Sequence, residues 1–163
     1  MDRRRALTDD GITVIATRLR ALDGARPVDT LSELATEFGW RVISTYAEGA
    51  LLDIGLGPAS GRLFARDGLI VDITLWITKG VPRDSEGRSW TRDMFARTTA
   101  ALSAIFGDPT ERNPGQVASI RWAGPANTLV LRDVNGSLQL SLLDNTWLAE
   151  QDQATALDAQ EQR

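Results

Sequence analysis

The chain has 163 residues and a net charge of −4, and contains neither histidine nor cysteine. Those two absences remove zinc-finger, thiol, haem, iron–sulfur and histidine-based triad chemistry: histidine is the side chain that titrates near neutrality, and cysteine is the strong nucleophile and soft metal ligand. Carboxylates, hydroxyls, 17 arginines and the single lysine, Lys79, are what stays available, and the acidic balance repels phosphate backbones, so nucleic acid is not an expected partner.

In chain order, Met1-Asp2-Arg3-Arg4-Arg5 is basic but leads into polar residues instead of an apolar signal core, and no apolar run nears the roughly 18 residues a membrane span needs. The expectation is a cytoplasmic protein without a membrane partner. Thr8-Asp9-Asp10 supplies a cap and first-turn acids to a helix whose Ile12, Ile15, Ala16, Leu19 and Leu22 recur at helical spacing until Asp23-Gly24. A second, shorter helix follows Pro27, with Thr30 and Glu33 at capping-box spacing, a Leu31, Leu34, Ala35 and Phe38 stripe, and Gly39 at its end.

Trp40 to Tyr46 and Leu51 to Ile54 read as strands before a glycine-rich segment, Gly55 to Gly61. Arg62 to Arg66 and Leu69 to Thr78 flank Asp67-Gly68, the dipeptide that suits a type I′ hairpin turn. In the second arm Leu69, Val71, Ile73, Leu75 and Ile77 form a core face, while Ile70, Asp72, Thr74, Trp76 and Thr78 form a mixed one. Lys79 to Trp90 reads as a long polar loop, and Thr91 to Phe106 as a helix stopped by Gly107-Asp108-Pro109. Thr110 to Gln116 is turn-rich. Val117 to Trp122, Asn127 to Arg132 and Ser137 to Leu143 read as three strands, the last two joined by the type I′ dipeptide Asn135-Gly136.

Strands grouped on either side of a helix, without β-α-β alternation, argue for an α+β fold. The pattern predicts a single domain over residues 1–148, with a mostly antiparallel sheet of six to seven strands, two N-terminal helices and one central helix. Residues 149–163 read as a polar tail, either frayed helix or disordered.

The candidate chemical motifs have structural readings. Gly55 to Gly61 has the glycines of a dinucleotide turn, but Pro58 interrupts it and a strand follows where the motif needs a helix, so it reads as an inter-strand loop. Asp9/Asp10, Asp84/Glu86 and Asp108/Glu111 have the surface reading expected among 22 carboxylates, and none lies in a calcium-loop pattern. Lys79, at a strand end beside Gly80, reads as exposed. No cofactor or metal is expected. Of the five tryptophans, Trp40, Trp122 and Trp147 lie where they would cap a core; Trp76 and Trp90 are candidates for an interface, with packing under a helix or loop as the alternative.

Phe106-Gly107-Asp108-Pro109-Thr110-Glu111-Arg112, then Ile120-Arg121-Trp122, then Thr128-Leu129-Val130-Leu131, resembles small actinobacterial proteins of an uncharacterised domain family. Such families resemble the immunity proteins of polymorphic toxin systems, and the resemblance implies a protein that binds a cognate toxin domain and occludes its active site without catalysis. On that reading the contact surface combines the 79–90 loop with the mixed sheet face, through Asp72, Trp76, Asp84, Glu86 and Trp90, and the acidic balance favours a basic protein partner. The alternatives are a secretion chaperone or adaptor that holds a partner's segment, and an enzyme using carboxylates and arginine.

Overall fold

The computed structural model describes residues 4–162. Its elements are β1 (Arg5–Ala6), α1 (Asp9–Arg20), α2 (Leu31–Phe38), β2 (Arg41–Tyr46), β3 (Gly49–Asp53), β4 (Gly61–Arg66), β5 (Leu69–Trp76), β6 (Thr78–Lys79), α3 (Ser85–Phe106), β7 (Glu111–Asn113), β8 (Ser119–Ala123), β9 (Asn127–Val134), β10 (Ser137–Asp144) and α4 (Asn145–Glu161). The fold is α+β. One antiparallel eight-stranded sheet runs in the order β2-β3-β4-β5-β10-β9-β8-β7, and β1 pairs with β6 as a separate ribbon. The sheet is thus two four-stranded meanders whose last strands, β5 and β10, pair at the centre.

Local chemistry explains most of these elements. The Thr8 hydroxyl accepts the Gly11 N–H at 3.0 Å, acids occupy the first turn of α1 and arginines its last, and Ile12, Ala16 and Leu19 are buried together. Both type I′ turns form, with positive φ at Asp67, Gly68, Asn135 and Gly136. The Phe-Gly-Asp-Pro-Thr and Arg-Trp segments prove to be one structural unit. Trp122 Nε1 donates to the Gly107 carbonyl at 3.1 Å, and the Thr110 hydroxyl accepts the Ala123 N–H at 2.9 Å, so the end of α3 is tied to β8. Helices α1, α2 and α3 cover one sheet face, where Leu34, Leu75, Leu102, Leu129, Leu131 and Leu140 are fully buried, each worth roughly 1.5–3 kcal/mol of transfer free energy.

Several expectations change. Among the described residues the sheet has eight strands and there are four α-helices, against six to seven and three, because β7 is three residues with no apolar pattern and, of the two readings of the tail, the helix is the one that forms. Helix α4 starts at Asn145, so the 148/149 boundary falls inside it; the Asp144 carboxylate caps its first turn by accepting from the Thr146 and Trp147 N–H groups. The 79–90 loop is shorter than predicted: Asp84 caps a helix that begins at Ser85, with its Oδ1 accepting the Gly87 N–H at 2.8 Å. The capping box of α2 does not form. Thr30 instead donates its hydroxyl to the Pro27 carbonyl at 2.7 Å, closing a 3₁₀ turn over Val28–Thr30. In β5 the register slips opposite Phe64/Ala65, which moves Ile70 into the core and leaves Leu69 43% exposed; the alternation predicted from Leu69 onward holds only from Asp72. At the N-terminus Arg5 belongs to β1 and Arg4 pairs with Glu86, while Arg3 lies outside the described residues.

Candidate functional site

Among the described residues only α4 crosses the face of the sheet opposite α1–α3, and that face mixes polar and charged side chains with a few apolar ones. Strand register sets them in rows. One row runs Phe64, Asp72, Leu143 and Thr128; the next runs Arg62, Thr74, Ser141, Val130 and Arg121; the third runs Trp76, Gln139, Arg132 and Ser119. Helix α4 lies over part of the first two, where Leu148 and Trp147 pack on Val130 and Leu143. Trp147 also meets the Phe64 ring at a centroid distance of 5.2 Å, and the Arg66 guanidinium stands over its indole. Beside α4 an open groove of about 830 Å³ has a charged floor of Asp72, Arg121 and Arg132 and an aromatic wall of Tyr46, Phe64 and Trp147.

The charges on this floor are held in different ways. Arg121 makes a bidentate pair with Asp152 of α4, both contacts at 2.7 Å, and a looser one with Glu111 at 3.4 Å. The hydrogen bonds from Arg121 hold the Asp152 carboxyl below its ordinary range, while Asp152 raises Arg121 in turn. The Arg121 Nε–H, by contrast, is buried with no acceptor. Asp72 has a side chain only 14% exposed, 3.8 Å from Arg62. Its Oδ1 accepts the Thr74 hydroxyl at 2.5 Å, and Thr74 in turn lies 2.8 Å from Ser141 Oγ. Burial pushes the Asp72 carboxyl up, against the opposing pull of Thr74 and the arginines. Arg132 is half-buried, and burial lowers its pKa while Asp72 opposes the shift. Among the described residues its guanidinium makes no hydrogen bond and no close ion pair; Asp72 and Asp152 act on it only at longer range.

The five sequence candidates divide between opposite sides of the molecule. Asp72 and Trp76 lie on the open face, with the Arg62 guanidinium 5.6 Å from the Trp76 ring centre. Asp84, Glu86 and Trp90 belong to the start of α3 on the other side: Asp84 is its cap, Glu86 faces Arg4 at 4.0 Å, and Trp90 packs half-buried against the main core under Arg4. No single surface contains all five. A second open groove, about 490 Å³, lies between the start of α3 and the β9–β10 turn and carries Arg83, Arg88 and Arg92, all exposed.

Arg121, Arg132, Ser141 and Asp152 were not among the candidates. The first three had a legible signal: Ile120/Trp122, Leu129/Leu131 and Leu140/Leu142 alternate with Arg121, Arg132 and Ser141, which puts the polar set on the face away from the core. Asp152 had none, because its role depends on where α4 crosses the sheet. The glycine-rich segment is the expected loop, organised by Asp53, whose Oδ1 accepts the Gly55 and Gly57 N–H groups at 2.8 and 3.1 Å. Among the described residues no group of three or more acidic side chains is placed to hold a metal ion, and no helix is long and apolar enough to cross a membrane.

No curated protein and no solved structure matches the chain. The model of the family of unknown function DUF6301 matches residues 10–144, and the chain belongs to that family.

Proposed function

We propose that this protein acts by binding another protein on the open sheet face beside α4, and that it is an immunity-type inhibitor that covers a cognate toxin domain without catalysing a reaction. The observation that carries the reading is the charged floor of the groove. Arg132 is half-buried without a close partner, and Asp72, though it accepts from Thr74 and lies near Arg62, is pushed up by burial; charges held out of water in this way cost free energy unless they are closely paired. Charges held in a groove with an aromatic wall are instead suited to recognition, because their geometry is set before the partner arrives. The resemblance noted in the sequence supplies the kind of partner.

The test starts from the gene beside the one encoding this chain. If it encodes a secreted toxin, co-expression rescues growth, the two proteins form a stable one-to-one complex, and the toxin's activity is abolished. Charge reversal of Arg62 and Arg132 on the open face weakens the complex, whereas charge reversal of Arg88 and Arg92 leaves it intact. A neighbour that does not bind, or a complex insensitive to the open-face change, refutes the proposal.

The chaperone or adaptor reading has one observation in its favour. Strand β2 forms an outer edge of the sheet, with Ile43 and Tyr46 exposed and its free backbone edge available to pair with an extended segment. A chaperone would bind an unfolded segment of its partner and leave the partner's enzymatic activity unchanged, which separates the two readings in the same assay.

A further inference from the structure

We infer that Arg132 is the recognition point of the groove for a carboxylate, an Asp or Glu side chain on an extended segment of the bound protein. The inference rests on the reading of the open face as the docking face, but not on the partner's being a toxin.

Three guanidinium groups and two carboxylates line the groove. The terminal nitrogens of Arg121 are paired with Asp152 and Glu111, leaving only its buried Nε–H without an acceptor, and Arg62 lies 3.8 Å from Asp72 and against the Trp76 ring. Arg132 is left over. Its position is fixed by the ladder, between Ser119 of β8 and Gln139 of β10, so its planar fork is presented from an interior strand paired on both sides. Asp72, Asp152 and Glu111 match the three guanidinium groups in number, but Asp72 pairs with Arg62 and the other two with Arg121, so among the described residues no carboxylate stands within ion-pair distance of Arg132, and one incoming carboxylate would supply that partner. Charge-assisted, bidentate contacts of this type are short and directional, which suits one defined landing position.

The shape of the groove argues for a segment over an enclosed small molecule. It lies open along the sheet, bounded on one side by α4 through Gln151 and Thr155 and on the other by Tyr46, whose side chain is exposed. The aromatic wall of Phe64 and Trp147 accommodates an apolar neighbour of the acidic residue. The acidic whole-molecule charge favours a basic partner at long range; the groove itself selects an acid at contact.

The experiment titrates the intact protein, followed by amide and arginine side-chain NMR, with a short end-blocked peptide carrying one Glu beside a Leu. The same peptide with Gln replacing Glu, and free acetate, serve as parallel arms. The expected result is a perturbation centred on Arg132, Ser119 and Gln139, with the Gln peptide and acetate each at least about tenfold weaker, the loss of one charge-assisted bidentate contact. Arg132→Gln removes the preference for Glu, Arg132→Lys retains it in part, and Arg92→Gln, in the other groove, leaves it unchanged. Equal binding of the Glu and Gln peptides overturns the inference on wild-type protein alone, whether or not either variant folds. Acetate binding as tightly as the Glu peptide overturns the assignment to a segment. A Glu peptide that lands on Arg132 while no toxin is inhibited refutes the proposed function only; a neighbour that binds while the peptide misses Arg132 refutes this inference only.

Discussion

Replacing Leu148 by alanine should detach α4 without unfolding the sheet. Leu148 is the one buried residue of this 17-residue helix, and it packs with Trp147 on Val130 and Leu143 in a cluster separate from the main core. Truncation to alanine removes about 2–3 kcal/mol of packing at such a site. Beyond its first turn, where Asp144, Asn145 and Trp147 make their contacts, little else holds the helix. Residues 149–162 are exposed, the Arg121–Asp152 pair is half-exposed on its carboxylate side and so contributes no more than about 1 kcal/mol, and the Arg66–Glu150 pair is solvent-screened. An isolated helix of this length is marginal in water. The expected readout is loss of amide-exchange protection across residues 145–161 in Leu148→Ala, with the global urea midpoint little changed. Leu140→Ala, at a fully buried position in the main core, serves as the contrast and lowers global stability by about 3–5 kcal/mol. Protection of α4 in Leu148→Ala that stays at the wild-type level, or a global loss as large as that of Leu140→Ala, would show that α4 is an integral part of the core and refute this account.

Asp72→Asn tests the buried carboxyl. Because burial raises the folded-state pKa of Asp72, its ionisation opposes folding, so stability is fullest below the ordinary carboxylate range of about 4 and declines as pH rises through the raised value. Chemical denaturation at a series of pH values should therefore show Asp72→Asn gaining on wild type as pH rises, and a constant difference would contradict the shift. Asp152 and Glu150 behave in the opposite sense. Hydrogen bonds from Arg121 and Arg66 depress their pKa values, so their stabilisation is present at neutral pH and lost as pH falls through those depressed values, and pepsin should cut within α4 before it cuts the sheet. Gly87→Ala sets two effects against each other. Helix propensity favours alanine by up to about 1 kcal/mol, but an added Cβ would overlap the Pro82 carbonyl oxygen, and the forced shift costs about 1–3 kcal/mol. A lowered melting temperature is expected; a raised one means the approach of Pro82 to α3 is looser than described.

The site was only partly readable in advance. Asp72 and Trp76 could be placed on one mixed face because strand periodicity acts over nearest neighbours and holds from Asp72 onward, past the register slip that follows the Asp67-Gly68 turn. Trp90 was misplaced for a local reason: Gly87 and Pro82 resemble loop residues, yet Gly87 is what lets the Pro82 backbone close against the first turn of α3. With the helix starting at Ser85, Asp84 became a cap and Trp90 a packing residue. The sequence left α4 open between frayed helix and disorder, since its polar composition gives it no apolar face and its anchor, Leu148 with Trp147, packs on Val130 and Leu143 of strands whose placement no local window shows.

The sequence by itself determined the class of fold, the two type I′ hairpins, the helix caps at Thr8 and Gly39, and the absence of histidine and cysteine chemistry, because each depends on residue identity or on neighbours a few positions apart. Tertiary structure alone decided that two meanders meet at β5 and β10, that α4 leaves the third row of the open face uncovered, and that Arg132 stands there without a close partner. Those facts come from strand order and register. Both are set by the global burial of the apolar face, and no local window of the chain contains them.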